Sequence, residues 1–342
     1  MNFMKDCVEL ILNWYFMNKR NFPWRENQDP YRVWVSEIML QQTRIDAVIP
    51  YYLRFMKRCP SISSLSEISE DELLKLWEGL GYYSRCRNLK KAATVIMEKY
   101  HGIFPSEYQD ILSLPGIGEY TAGAISSICF QKKEVCVDGN VMRVYSRVCN
   151  MDLNVKDIKE KKKIGKELQK ILPENSGDFN QGIMEIGEVL CLPNGMPKCE
   201  VCPLEKKCQA HLLKRELEIP KSTLKVEKKI EKRTVFLMIF DGKVAVKKRE
   251  EELLKNLWEF PNVLGKISLS KMKERFPDTI SIKKGISYIH TFSHKKWDMV
   301  SYIIYLNSMD SSYTWASFQE LEEVYALPSA FLPFYQFLKN QK

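Results

Sequence analysis

The sequence predicts two domains of different class: a long all-α region followed by a small α+β domain. Three observations carry this reading. Apolar residues recur at helical spacing, with short breaks, from residue 5 to about residue 190. Residues 219–233, IPKSTLKVEKKIEKR, are charged, lack a sustained apolar face and read as a linker. Beyond it the pattern changes to β-rich runs and one closing amphipathic segment. The expected divisions are residues 1–218, a linker at 219–233, and residues 234–342.

The first clear helix start is QDPYRVWVSEIMLQQT, with Asp29 as N-cap, Pro30 at the first helical position, and Val33, Trp34, Ile38 and Leu40 following. ISEDELLKLWEGLGYYSRCRNLKKAATVIMEKY holds two more helices, broken at Gly79–Gly81. GKELQKILP ends at Pro173, and FNQGIMEIGEVLC leads into a cluster of cysteines. In the last third, RTVFLMIFDGKVAVKKRE is two strands joined by Asp241–Gly242, a strong hairpin signal. SYIIYLNS is a further strand and LPSAFLPFYQFLKN a closing helix, which makes a small α+β domain.

A chain of 342 residues can bury the core of two such domains. The apolar run VELILNWYF is too short to span a bilayer, and the charged MNFMKDC before it does not resemble a signal peptide, so a cytoplasmic protein is expected. Residues 1–220 carry 31 Lys+Arg against 29 Asp+Glu, while residues 221–342 carry 21 against 14. The excess of positive charge therefore lies in the last third. Either a solubilising surface or a polyanionic partner explains it.

Six of the ten cysteines are scattered among apolar neighbours and read as reduced core thiols. The other four, Cys191, Cys199, Cys202 and Cys208, follow the spacing C-x7-C-x2-C-x5-C and argue for a metal site. Zinc is usually gripped by two C-x2-C knuckles, and only one is present. The compact run suits an iron–sulfur cluster, though spacing alone leaves both open.

In LPGIGEYTAGA (114–124), Gly116 and Gly118 can take positive φ and leave N–H groups uncovered at a helix start, where an anion could bind. A plain helix–helix turn is the alternative. It is no Walker loop, because G-x-x-x-x-G-K-[ST] is absent. In VDGNVMRVYSR, Asp138 ends an apolar run and is placed to cap the following helix. Glu37 sits in VWVSEIML among apolar neighbours. There it is either an acid held protonated by burial or an ordinary exposed glutamate.

Taken together, these segments resemble the adenine DNA glycosylases (MutY) of the helix-hairpin-helix DNA glycosylase superfamily. FPWR (22–25), SEIMLQQT (36–43), GLGYYSR (79–85), LPGIGEYTAGA, VDGNVMRV (137–144), the four-cysteine loop and HTFSH (290–294) occur in the family's order. The resemblance implies an all-α helix-hairpin-helix glycosylase domain with an iron–sulfur loop, then a Nudix-like α+β domain. It implies a [4Fe–4S] cluster on Cys191, Cys199, Cys202 and Cys208, although C-x7-C departs by one residue from the commoner first spacing. It also implies that Gly116 and Gly118 grip a phosphate of double-stranded DNA that carries adenine opposite 8-oxoguanine or guanine, bound by a monomer.

By the same resemblance, Glu37 protonates the adenine and Asp138 stabilises or captures the sugar cation. Asn140 orients Asp138, and Tyr120 bonds near the acid or the sugar. Trp24 and Arg25 line the adenine pocket, though Arg25 could be a surface charge. Gln42, Thr43, Leu80 and Tyr82 lie near the partner base. Phe292, Ser293 and His294 detect 8-oxoguanine. Tyr120 stands where endonuclease III-like lyases carry a lysine, so a monofunctional enzyme is expected. The competing expectations are an endonuclease III-like oxidised-pyrimidine glycosylase and lyase, or a catalytically dead damage-binding protein. No Nudix box is present, so nucleotide hydrolysis is not expected. A metal on His290 and His294 is not expected either, because the segment lies between strand-like runs.

Overall fold

Asp29 and Pro30 begin a helix as expected: the Asp29 side chain accepts the Tyr31 N–H, and the helix runs Pro30–Leu40. The same logic holds further along, where Asp138 caps Gly139–Val148 and Asp157 caps Ile158–Gln169. The computed structural model describes residues 3–221, 227–277 and 279–341. Contacts divide the chain into two units, residues 1–66 with 88–225 and residues 67–87 with 226–342.

In the first unit, the helices Val8–Asn18, Gly139–Val148 and Ser176–Val189 share one core, with Ile11, Val141, Val144, Phe179, Ile183 and Ile186 buried together. Close approach here depends on Gly187. A Cβ on it would fall 2.6 Å from the Asn140 Cβ, so a larger residue would push the helix off the turn that carries Asp138 and Asn140. The other element that matters is the helix Glu119–Phe130, which follows the 114–118 turn.

The second unit is a mixed sheet in the order β3-β2-β1-β6-β5, formed by β1 (Lys229–Phe240), β2 (Lys243–Lys248), β3 (Trp258–Glu259), β5 (Thr279–Thr291) and β6 (Lys295–Leu306). Two short strands add to it: β4 (Asn262–Leu264) pairs with β1 and β7 (Thr314–Ala316) with β2. β1 lies parallel to β6 and is buried on both faces. Its Val235 and Leu237 join Trp297, Phe331 and Phe334 beneath the closing helix Leu332–Lys339. Its Phe236 and Met238 join Met272 of the helix Leu269–Arg275 on the other face. Asp241 (φ 46°) and Gly242 (φ 70°) make the tight β1–β2 turn that the sequence announced.

The structure departs from the sequence reading in two places. β1 begins at Lys229, inside the stretch read as linker, of which 222–226 lie outside the described residues. Its charges are matched across the ladder, since Glu231 accepts from Lys295 Nζ and Trp297 Nε1, both at 2.9 Å. A strand whose polar groups are paired in this way needs no apolar alternation at its start. The second departure is that residues 67–87, which read as part of the helical region, fold with the sheet.

Candidate active site

A cleft of about 1050 Å³ lies in the first unit. It gathers Trp24, Arg25, Glu37, Gln42, Thr43, Gly118, Tyr120, Asp138 and Asn140, residues from four separate segments of the sequence. Glu37 is buried (9% exposed), so the exposed-glutamate alternative fails. Its Oε2 accepts the Tyr120 hydroxyl proton at 2.9 Å, and that hydroxyl also lies 3.3 Å from the Met184 sulfur. Burial pushes the Glu37 carboxyl up to about 7, against the Tyr120 bond and the charge of Arg25, with Asp138 adding to the rise. Burial likewise drives the Tyr120 hydroxyl well above its ordinary range.

Asp138 is both a cap and a cleft carboxylate. One oxygen accepts the Val141 N–H at 2.8 Å and the other accepts Asn140 Nδ2 at 2.9 Å. Burial raises its pKa, while the Val141 N–H, the Arg143 charge and Asn140 oppose the rise. Asn140 is fixed in turn by Arg143, whose Nη2 donates to Asn140 Oδ1 at 2.8 Å and to the Gly187 carbonyl at 2.6 Å. Nε of Arg143 donates to the Cys191 carbonyl at 2.7 Å, so one guanidinium ties the Asp138 turn to the start of the cysteine loop.

Arg25 is no surface charge. Nη1 donates to the buried Glu185 carboxylate and to the Arg20 carbonyl, and the guanidinium lies over the Phe22 ring at 5.0 Å. Arg20 reaches the other Glu185 oxygen at 3.2 Å, and Trp24 is buried, stacked on Phe22 with ring centroids 5.1 Å apart. Sequence reasoning missed Glu185 and Arg143. The signal that drew attention to Glu37, a charged residue among apolar neighbours in a helix, is present at both (IMEIG and VMRVY).

At the hairpin, Gly116 adopts φ 77°, and a Cβ there would lie 2.6 Å from Asn88 Cβ. Gly118, by contrast, is extended (φ −104°) and does not use the left-handed region allowed for it. It is the N-cap of Glu119–Phe130, where no side chain caps the first N–H groups, and the space where its Cβ would stand is empty. Gln42 (φ 60°) and Thr43 form the turn after the Glu37 helix and line the cleft.

The remaining predicted residues belong to the second unit. Tyr82 is exposed at a turn, whereas Leu80 is buried, its N–H donating to Trp77 O and its carbonyl accepting from Arg85. Phe292 is an anchor, packed edge-on against Trp297 at 4.8 Å, and leaves Ser293 and His294 at the exposed tip between β5 and β6.

Cys191, Cys199, Cys202 and Cys208 are free thiols in one loop, three of them on successive short turns. Arg147 Nη1 donates to Cys191 Sγ at 3.2 Å, a contact suited to a thiolate. Burial, with Cys191, Cys208 and Cys199 close by, pushes the Cys202 thiol up to about 12, so the four cysteines are clustered. Four clustered thiols, with a cation on one of them, fit an iron–sulfur cluster. Cys199 also lies with His211 and Glu216 in a set of possible ligand atoms within 4.8 Å.

Residues 35–174 match the model of the HhH-GPD superfamily base excision DNA repair proteins, and residues 234–336 match the NUDIX domain model. An adenine DNA glycosylase of Buchnera aphidicola subsp. Acyrthosiphon pisum is 39% identical over 292 residues, 84% of this chain and 83% of that protein. The chain belongs to the adenine DNA glycosylase family. It is thereby a DNA N-glycosylase, a hydrolase of base-excision repair. The family's Arabidopsis thaliana member is 32% identical over 83% of this chain and 54% of its own. Among solved structures, a thermostable thymine-DNA glycosylase superposes with a TM-score of 0.56 at 30% identity, covering 62% of this chain and 97% of that one. Endonuclease III in a non-covalent DNA complex shares the fold, with a TM-score of 0.52 at 22% identity over 61% of this chain and 97% of its own. Among the described residues no helix is long and apolar enough to cross a membrane.

Proposed function

We propose that the protein, acting as a monomer, removes adenine opposite 8-oxoguanine or guanine and stops after base hydrolysis. The observation that carries the chemistry is the buried Glu37–Tyr120 pair facing Asp138 in one cleft. Adenine leaves poorly as an anion. The Glu37 carboxyl, which keeps its proton up to about pH 7, gives it to N7 as the C1′–N9 bond breaks, and the bonding electrons stay with the base. Asp138 then faces a sugar cation, which it stabilises or captures, while Asn140 and Val141 N–H fix its two oxygens. Water adds to C1′, and its proton returns to a carboxylate. Tyr120 holds the acid through its hydroxyl.

The supporting arrangement extends outward. Adenine, flipped from the stack, enters between Trp24 and the Arg25–Glu185 pair. The uncapped N–H groups after Gly118 suit a backbone phosphate. Gln42 and Thr43 at the cleft, with Tyr82 and the Leu80 backbone in the second unit, are read as facing the partner base. Ser293 and His294 read the altered edge of 8-oxoguanine, with Phe292 holding their loop. We assign Cys191, Cys199, Cys202 and Cys208 to a [4Fe–4S] cluster. That cluster, when bound, supplies a rigid electron-rich centre that braces the loop. Arg143 passes the brace to Asn140.

Duplexes with adenine opposite 8-oxoguanine, adenine opposite guanine, and thymine glycol opposite adenine test the reading. Release of adenine from the first two, without borohydride-trapped adduct, is expected. Lys161, whose Nζ lies 6.0 Å from the Tyr120 ring centroid, and Lys19 also line the cleft. Efficient trapping that depends on one of them, or preferential release of thymine glycol, would overturn it.

A further inference from the structure

The second unit includes a helix from far upstream, and the way that helix is fastened has a use. Ser69 caps Glu70–Leu76 by accepting the Glu72 N–H, and the far end of the helix is tied to the 321–327 segment by two side chains. Lys75 Nζ donates to Glu78 Oε2 at 2.6 Å, to the Leu321 carbonyl at 3.0 Å and to the Tyr325 carbonyl at 3.2 Å. All three ammonium protons are used. Two of them meet carbonyls at and just beyond the end of the helix Phe318–Glu323, where a cation is favoured. Glu78 Oε1 accepts the Leu327 N–H at 2.6 Å. Both side chains are largely shielded, at 14% and 18% exposure. Outer ties add to the clamp: Lys248 to Asp71 at 2.6 Å, Asn256 to Glu70 at 2.8 Å, and Arg87 to the Lys255 carbonyl at 2.8 Å.

Immediately after Glu78 the chain turns through Gly79 (φ 99°), Gly81 (φ 70°) and Tyr82 (φ 48°). A tyrosine in the left-handed region is strained, so the surroundings must hold it there. Trp77 Nε1 donates to the Gly81 carbonyl at 3.0 Å, and Arg85 Nη2 donates to the carbonyls of Leu80 and Gly81, both at 3.2 Å. The Arg85 guanidinium lies 5.5 Å from the ring centroids of both Trp77 and Tyr82. The result is an aromatic ring, 46% exposed, presented on a braced turn and backed by a cation. That is a stacking surface for a nucleobase. The same unit presents Ser293 and His294 on a tip of its own, held by Lys228 Nζ on the Phe292 carbonyl at 2.6 Å.

We propose that Lys75 and Glu78 are positioning residues that make the 79–82 turn part of the sheet unit, so that the turn and the Ser293–His294 tip meet the partner base as one body. The proposal rests on the adenine-glycosylase reading for the identity of that base. Two contacts fixed on one body lose less freedom on binding than two that move separately, so the clamp acts on selectivity. The chemistry is left alone, because Glu37 and Asp138 belong to the first unit.

Lys75→Met and Glu78→Gln in the full-length protein test this, with Lys75→Arg as the conservative rescue and Asp71→Asn as a milder variant that keeps the buried pair. Amide hydrogen exchange of 79–83 is expected to speed up about tenfold in the first two variants, with residues 114–124 unchanged. The preference for adenine opposite 8-oxoguanine over adenine opposite guanine, measured in single turnover at saturating enzyme, is expected to fall about tenfold. The rate opposite guanine should stay within about threefold of the parent, and Lys75→Arg should recover most of the loss. Unchanged exchange at 79–83 would refute the clamp whatever the activity. Faster exchange with an unchanged preference, or equal losses on both duplexes, would refute its role in selectivity. A parent protein that shows no preference between the two duplexes would sink the recognition reading instead, and the exchange result would still decide the clamp.

Discussion

Two buried glutamates, one in each unit, are treated in opposite ways. Glu259 of the sheet unit is met by the Arg249 guanidinium, by Asn262 Nδ2 at 2.9 Å and by Lys247 at 3.5 Å, with Arg249 and Arg233 over the Trp297 ring. Glu37 of the helical unit meets a tyrosine hydroxyl, and burial is what dominates its acidity. A buried carboxylate that is fully answered by cations and amides holds strands β2 and β3 in place. One that is left with a neutral partner keeps its proton and becomes an acid. Glu185 shows the first treatment inside the cleft of the helical unit, where it answers Arg20 and Arg25.

The comparison can be broken first at the two cleft carboxyls proposed to do the chemistry. Glu37→Gln and Asp138→Asn should each lower the single-turnover rate by about 10³-fold or more while duplex affinity changes little. Near-normal turnover by either would remove it from the chemistry.

The next effect is on stability, and the two glutamates should differ in sign. Glu259→Gln leaves the buried Arg249 with only the more exposed Glu251 as counter-charge and should destabilise the protein by about 2–4 kcal/mol in denaturant melts. Glu37 holds its proton to about pH 7 when folded, against 4.5 for an ordinary glutamate, so the unfolded chain ionises first as pH rises. Stability from this group therefore falls between about pH 4.5 and 7 and stays reduced above. Glu37→Gln should thus be more stable than the parent at pH 8, by on the order of 2–3 kcal/mol, with the gap closing towards pH 4.5. A destabilised Glu37→Gln at pH 8 would contradict this account.

Glu185→Gln comes next. Freed of its buried partner, Arg25 should pull the Glu37 pKa down, moving the alkaline fall of the pH–rate profile to lower pH. The rate near pH 8 should drop by about one to two orders of magnitude. A loss that is uniform across pH would instead mark Glu185 as structural only.

The smallest change belongs to the sheet unit. Ser293→Ala should lower the preference for an 8-oxoguanine partner a few-fold, as the loss of one hydrogen bond, and leave excision opposite guanine unchanged.

Much of this was legible in the residues, for local reasons. Asp29–Pro30, Asp241–Gly242 and the Asp138 cap are short-range signals, and each forms as its chemistry requires. Glu37 stood out because an ionisable group at an apolar helical position has few explanations. What stayed hidden depends on partners far along the chain. Arg143 reads as an ordinary helical residue until Gly187 and Cys191 arrive, and charged 229–233 reads as linker until Lys295 and Trp297 answer it. Likewise, the amphipathic pattern of 70–76 shows that one face is covered but not by what. Gly118 is the converse case, a glycine kept in an extended backbone that any residue could adopt. Its use lies in the empty space beside it.

The split membership of the sheet unit has a consequence for how the chain is made. Residues 67–87 leave the ribosome long before residues 226–342, with the rest of the helical unit emerging between them. Until the last residues are synthesised, the 321–327 partners of Lys75 and Glu78 are missing. A protein cut after the helical region is therefore more than an enzyme without its sheet unit. It carries an orphaned helix whose polar clasp has nothing to close on, and that helix is where such a fragment should first be nicked or begin to aggregate.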